Sequence, residues 1–112
     1  MKVFNYKEII AEEANMEGAK GVKVRWLISD KDKAPNFAMR LFEVEPGGHS
    51  PLHTHDWEHE VYILEGDGVA TDGEKEIKIK SGSVIYVAPN EKHQFENTGS
   101  GTLKFLCMVP IK

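Results

Sequence analysis

The sequence predicts an all-β fold, a barrel or sandwich of short strands, on three observations. Apolar and polar residues alternate with a period of two in several separate runs. Gly, Pro, Asn and Asp break those runs at intervals of roughly 8–12 residues, the spacing of sandwich and barrel strands. The stretch most open to a helix, Lys7 to Met16, lacks an apolar stripe and reads as a short helix or a loop.

Taken in order, Gly18 and Gly21 bracket a turn. Val22 to Ser29 then alternates, with Val22, Val24, Trp26 and Ile28 on one face and Lys23, Arg25 and Leu27 on the other. Ser29 to Lys33 is a solvated connection. Asn36 to Glu45 reads as a second strand with Ala38, Arg40, Phe42 and Val44 on one face, and Pro46-Gly47-Gly48 ends it. A run from His59 through Val61-Tyr62-Ile63-Leu64 has the β-branched and aromatic content of a strand. After Gly66-Asp67-Gly68, Val69 to Thr71 and Glu76 to Lys80 flank Asp72-Gly73, a hairpin signal. Val84 to Val87 leads into a turn on Pro89-Asn90. His93 opens a further strand that puts Phe95 on its own side. The last strand, Leu103 to Val109, sets Leu103, Phe105, Cys107 and Val109 against Lys104, Leu106 and Met108. Lys104 must reach water, which turns Cys107 inward. The expected organisation is a single domain over 1–112, with an N-terminal arm to about residue 21 and a barrel over about 22–110.

Histidine usage points to chemistry. Four of the five histidines fall between Gly47 and Gly66: His49, His53, His55 and His59. The fifth, His93, follows the Pro89-Asn90 turn. His53 and His55 share one strand face, separated by about 7 Å along the chain, near enough for both to reach one ion at about 2.0–2.2 Å. His59 shares a face with Val61 and Ile63, which favours it as a third ligand over Glu60, the alternative if the connection is one residue longer. His93, placed after a tight turn, can reach back to the same point. His49 reads as a solvent-facing loop residue, with substrate contact at the barrel mouth as the sharper alternative.

These residues carry a family resemblance. The chain resembles the cupins, small jelly-roll β-barrels whose first motif is G-x5-H-x-H-x3,4-E-x6-G. Gly47, His53, His55 and Gly66 fall in register, and His59 stands where Glu is usual. Of the second motif, G-x5-P-x-G-x2-H-x3-N, Gly82, His93 and Asn97 match. Ala88 replaces the Pro, with Pro89 one place on, and Asn90 replaces the turn glycine. Asn is the substitute that best tolerates a left-handed backbone. The pattern looks most like small single-domain cupins that hold a metal, often manganese, with four histidines. The fold it implies is a single-domain jelly-roll barrel with a short N-terminal extension.

The candidate metal ligands are therefore His53, His55, His59 and His93. Imidazole also suits Fe, Zn, Ni and Cu. Candidate substrate contacts are Arg40, Phe42, Trp57, Ile63, Phe95, Phe105 and Cys107. Arg40, on a mostly apolar face, is either salt-bridged or an anion contact inside the barrel. Cys107 is a small buried hydrophobe or a group near the metal. Four neutral rings leave a divalent ion its full charge, so it stays a strong Lewis acid. The resemblance implies a metal-dependent oxidoreductase of the dioxygenase type acting on a small, partly apolar molecule. The alternatives are a non-catalytic, metal-anchored binding or sensor module and a metal-assisted isomerase.

Composition excludes other classes. Eighteen acidic against fourteen basic residues give a net charge of −4 with no basic stripe, a poor match to nucleic acid or anionic membranes. One cysteine permits no intrachain disulfide. No long apolar run opens the chain, so the expected compartment is the cytoplasm. An exposed N-terminal strand is an aggregation liability unless paired. Together with the resemblance, this gives the expectation of a homodimer in which residues near 22–29 pair with the partner's sheet.

Overall fold

Alternation along the chain is realised as a ladder of antiparallel strands in a computed structural model that describes residues 1–111. Among the described residues there is no α-helix, and no helix is long and apolar enough to cross a membrane. The strands are β1 (Glu12–Glu13), β2 (Lys20–Ile28), β3 (Phe37–His49), β4 (His59–Glu65), β5 (Asp67–Thr71), β6 (Glu76–Lys80), β7 (Val84–Val87), β8 (Gln94–Asn97) and β9 (Leu103–Pro110). Two 3-10 turns, Tyr6–Glu8 and Asp30–Asp32, carry capping boxes on Asn5 and Ser29. The sheet runs β6-β5-β8-β3-β9-β4-β7, with β2 also on β3 and β1 on β2. Strands non-adjacent in sequence are neighbours in space, and the sheet curls on itself into the all-β barrel that the sequence predicted.

The inner face collects the residues that alternation assigned to it. Val22, Val24, Ala38, Phe42, Val44, Val61, Ile63, Leu103, Phe105, Cys107 and Val109 are buried in one core. The expected face of β2 holds through Trp26, which stands opposite Arg40 at the exposed end of the strand, and fails at Ile28, which pairs with Met39. There the register shifts between Trp26 and Ile28, and such a bulge turns the following side chains off the shared face. On the outer side, Arg25 pairs with Glu43 at 2.8 Å and donates to the Ile9 carbonyl, which fixes the N-terminal arm across β2.

β3 does not end at Pro46-Gly47-Gly48, as the sequence suggested. It runs on to His49 through a large bulge, between the pairs Val22 with Val44 and Lys20 with His49. Gly47 takes the left-handed φ of +79° that this bend needs. Below the bend β3 pairs with β9, and beyond it His49 pairs with Glu96 of β8. The bend thus passes the chain from one part of the sheet to another and aims residues 50–55 across the end of the core. Asn97 locks the same corner: it is buried, its Nδ2 donates to the carbonyls of Val44 and Gly101 at 2.8 Å each, and its Oδ1 accepts from Gly99 N.

Candidate metal centre

Backbone pairing brings the two histidine stretches together. Residues 50–55 run antiparallel to 90–95. Ser50 N donates to Phe95 O at 3.0 Å, and His53 and His93 exchange N–H to O bonds at 3.2 and 3.1 Å. Asn90 N donates to His55 O at 2.7 Å. Asn90 makes this possible by adopting φ +68°, the left-handed turn conformation expected of it. His53 and His55 do share a face, with Thr54 outward, yet they lie in extended chain with one isolated bridge and not in a regular strand. His59 is the first residue of β4 and is buried with Val61 and Ile63. Glu60 faces outward, opposite Tyr86 and Met108, away from the histidines.

The rings converge. Centroids lie 4.6 to 5.1 Å apart in five of the six pairs, with the planes steeply inclined to one another. Nitrogens of His53, His55 and His93 all fall within 4.8 Å of one another. His55 Nε2 and His59 Nε2 are 2.9 Å apart. Two nitrogens bound to one ion at about 2.0–2.1 Å stand roughly 2.9–3.4 Å apart, so this spacing fits a shared cation. The outer nitrogens are spoken for: His55 Nδ1 donates to Trp57 O and His93 Nδ1 to Glu91 O, both at 2.8 Å. Those bonds place the proton on Nδ1 and leave Nε2 as a lone pair. His93 Nε2 is buried with no hydrogen-bond partner among the described residues, an orphan that a metal ion would satisfy.

Electrostatics favour the neutral, metal-ready form. Burial first, then the neighbouring histidines, lower the pKa of His53 below its ordinary value. Burial also lowers His55, with His93 adding to the effect. His59 falls to about 3, chiefly through burial and next through the Arg40 guanidinium. Burial raises the Cys107 thiol against the opposing pull of Arg40.

A cavity of about 110 Å³ opens over these rings. Of the expected substrate contacts, Arg40, Phe42, Trp57, Phe95, Phe105 and Cys107 line it. Ile63 does not: it is fully buried in the core further down β4, opposite Phe105. Phe42 stacks on Phe105 at 5.3 Å and Phe95 meets Phe105 edge-on, forming the cavity's apolar wall. Trp57 lies flat on His55, 4.1 Å between centroids and 8° between planes, at the rim. Arg40 is packed against Trp26 and Phe42, and its Nη2 meets Cys107 Sγ where a salt bridge was one expectation. His49 stays out of the cluster, bonding Nδ1 to the Ser50 carbonyl. Met16, Ser50 and Pro51 also line the cavity. Ser50 and Pro51 adjoin the histidine motif and were within reach of the sequence reading. Met16, from the arm, gave no periodic signal.

Comparison with known proteins agrees with this geometry. A family model described as a cupin domain matches residues 40–109. The chain is 41% identical to an oxalate-binding protein of Thermotoga maritima, over 96% of this chain and 92% of that one. It is 39% identical over 71 residues to a 1-methylthio-D-xylulose 5-phosphate methylsulfurylase of Rhodospirillum rubrum, covering 63% of this chain and 46% of that one. The polyketide cyclase RemF of Streptomyces resistomycificus superposes with a TM-score of 0.94 at 34% identity, covering all of this chain and 80% of that one. Two motifs folded onto one another inside a jelly roll, and a family match across most of the chain, lead to one conclusion: this protein belongs to the cupin family.

Proposed function

We propose that His53, His55, His59 and His93 hold one divalent transition metal, with manganese favoured, and that the cavity above them binds a small anionic oxygen-donor molecule of the short-carboxylate class. The observation that carries this reading is the charge of the lining. Four neutral imidazoles leave an ion its full charge, and Arg40 is the one other charged side chain around the cavity among the described residues. Positive charge in a half-dry site without a carboxylate to offset it draws in an anion. A volume of about 110 Å³ equals that of three or four waters at about 30 Å³ each, enough for a ligand of a few heavy atoms. The relative described as an oxalate-binding protein supports the same class.

A bound divalent ion supplies Lewis acidity. The chain's own residues do the rest. The carbonyls of Trp57 and Glu91 orient two of the rings, Phe42, Phe95 and Phe105 exclude water, and Arg40 holds negative charge at the cavity wall. A second reading, a metal-dependent oxidoreductase of the dioxygenase type, is favoured by the lack of an Asp or Glu in the lining among the described residues. Without a carboxylate for general acid–base work, turnover would depend on the metal's own chemistry. The proposal includes a homodimer: β1 covers the outer edge of β2 at Lys23 and Val24, and a second copy would pair with the rest.

Metal analysis of the purified protein, followed by calorimetric titration with oxalate, tests the main reading. The wild type should carry close to one metal per chain and His53→Ala little. Oxalate should titrate the loaded protein and not the metal-free one. A wild type that takes up no metal, or that binds oxalate equally without it, overturns the proposal. Oxygen consumption by the Mn- or Fe-loaded protein would promote the second reading.

A further inference from the structure

Three adjacent strands place one polar row across the inner face of the sheet. Arg40 of β3 and Cys107 of β9 are directly opposed. Val61 of β4 opposes Cys107 from the other side, and His59 is the next residue along β4 on that face. Directly opposed and diagonal neighbours on one face are within side-chain reach. Cys107 Sγ accordingly lies 3.1 Å from Arg40 Nη2 and 3.3 Å from His59 Nδ1.

We propose that Cys107 is a positioning residue for the metal centre: its sulfur accepts the Nδ1–H of His59 and thereby presents His59 Nε2 to the ion. The inference rests on the four-histidine metal reading above. A neutral imidazole that ligates through Nε2 must carry its proton on Nδ1. For His59 that N–H is buried and requires an acceptor. Two groups approach His59 Nδ1, the sulfur at 3.3 Å and Arg40 Nη2 at 3.5 Å. A guanidinium has donors and no acceptor, so it cannot take the proton; sulfur can. Arg40 Nη2 donates to the same sulfur at 3.1 Å, beside the ring, and holds it in place. His93 points independently to a cation at this spot: it is 6% exposed, and its Nε2 is unpartnered among the described residues.

The arrangement sets His59 apart from two of its companions. His55 and His93 give their Nδ1 protons to main-chain carbonyls, which no substitution removes. His59 relies on a side chain, so its orientation can be altered by changing one atom. Acceptors behind metal-bound histidines typically affect metal affinity by about 10–100-fold.

The test uses Zn²⁺ alone as probe, with wild type, Cys107→Val and Cys107→Ser compared. Chelator competition gives the zinc affinity, and proton–nitrogen NMR of the loaded protein reports each histidine Nδ1–H. Cys107→Val should bind zinc about 10–100-fold more weakly. Its His59 Nδ1–H signal should move or exchange faster, with the His55 and His93 signals unmoved. Cys107→Ser keeps an acceptor and should recover most of both. Equal affinity and an unmoved signal in Cys107→Val overturn the inference, as does a folded Cys107→Ser no better than valine. If Cys107→Val fails to fold, Cys107→Ala takes its place under the same criteria. A wild type that binds no zinc overturns the metal reading itself and the inference with it.

Discussion

The same three strands carry two different interiors. At one end β3, β9 and β4 present Arg40, Cys107 and His59. Four residues along each strand, on the same face, they present Val44, Leu103 and Ile63, each 0% exposed. Between β3 and β9, Arg40 pairs with Cys107 and Val44 with Leu103 by one continuous register, while the β4–β9 register shifts past Ile63. Along β3 and β9 the backbone geometry is common to both, so the side chains, with the loop histidines set over one end, make that end a site and the other a packed core. Each fully buried aliphatic at the closed end contributes about 1.5–3 kcal/mol. At the open end a guanidinium, a thiol and an imidazole are drawn out of water, and what offsets that cost is their bonding to one another and, under the proposal, to a cation.

The largest effect should come from the closed end. Leu103→Ala removes a fully buried side chain from a stretch where every neighbour is fixed by pairing, and it should cost about 3 kcal/mol of unfolding free energy. Urea denaturation measures it. The folded fraction should keep its metal stoichiometry, because Leu103 does not line the cavity. A loss below about 1 kcal/mol would mean that the closed end is not the anchor it is taken for.

How far each end was legible in the sequence follows the same division. Period-two alternation identified the faces of β3, β4 and β9, Cys107 inward included, because strand burial is written directly in apolar spacing. The approach of His53, His55 and His93 to one another was also legible, since their motif spacing fixes a loop and a turn. Three things were not. β3 runs through Pro46-Gly47-Gly48 because a bulge absorbs them, and a composition signal cannot separate a bulge from a break. Ile63 was expected at the cavity because it shares a face with His59. A shared face does not give depth along the strand, and four residues further on is a different layer. The row from Arg40 through Cys107 to His59 depends on strands far apart in sequence. Without the β3–β9–β4 order, Arg40 is an odd charge and Cys107 a lone thiol.

Acid should expose the difference between the ends at the next scale down. The protein is kept metal-free with chelator so that protonation alone is measured. His59 titrates near 3 when folded and near its ordinary 6.5 when unfolded. Between those values the unfolded chain binds a proton that the native protein refuses, so stability is full above about pH 6.5 and falls as the pH drops. From pH 7 to pH 5 the loss from His59 is about 2 kcal/mol, and His53 and His55, both lowered, add to it in the same direction. Denaturant midpoints across that range measure the slope. A flat profile would show that the open end stays wet enough to charge its histidines without unfolding.

The smallest effect, and the most pointed, is a gain. His59→Leu extends the aliphatic end of β4 into the site and replaces a buried imidazole with a side chain that needs no partner. In the metal-free protein at pH 7 it should raise stability by about 1 kcal/mol while abolishing tight metal binding. Leucine does not titrate, so the advantage should widen to about 3 kcal/mol at pH 5, the neutral gain plus the acid loss that the wild type alone suffers. Denaturation of both proteins at the two pH values separates these parts. If the variant is less stable at pH 7, the contacts of His59 with Cys107 and Arg40 outweigh the cost of burying its ring. The open end would then be a stabilising network in its own right rather than a site maintained against the grain of the core.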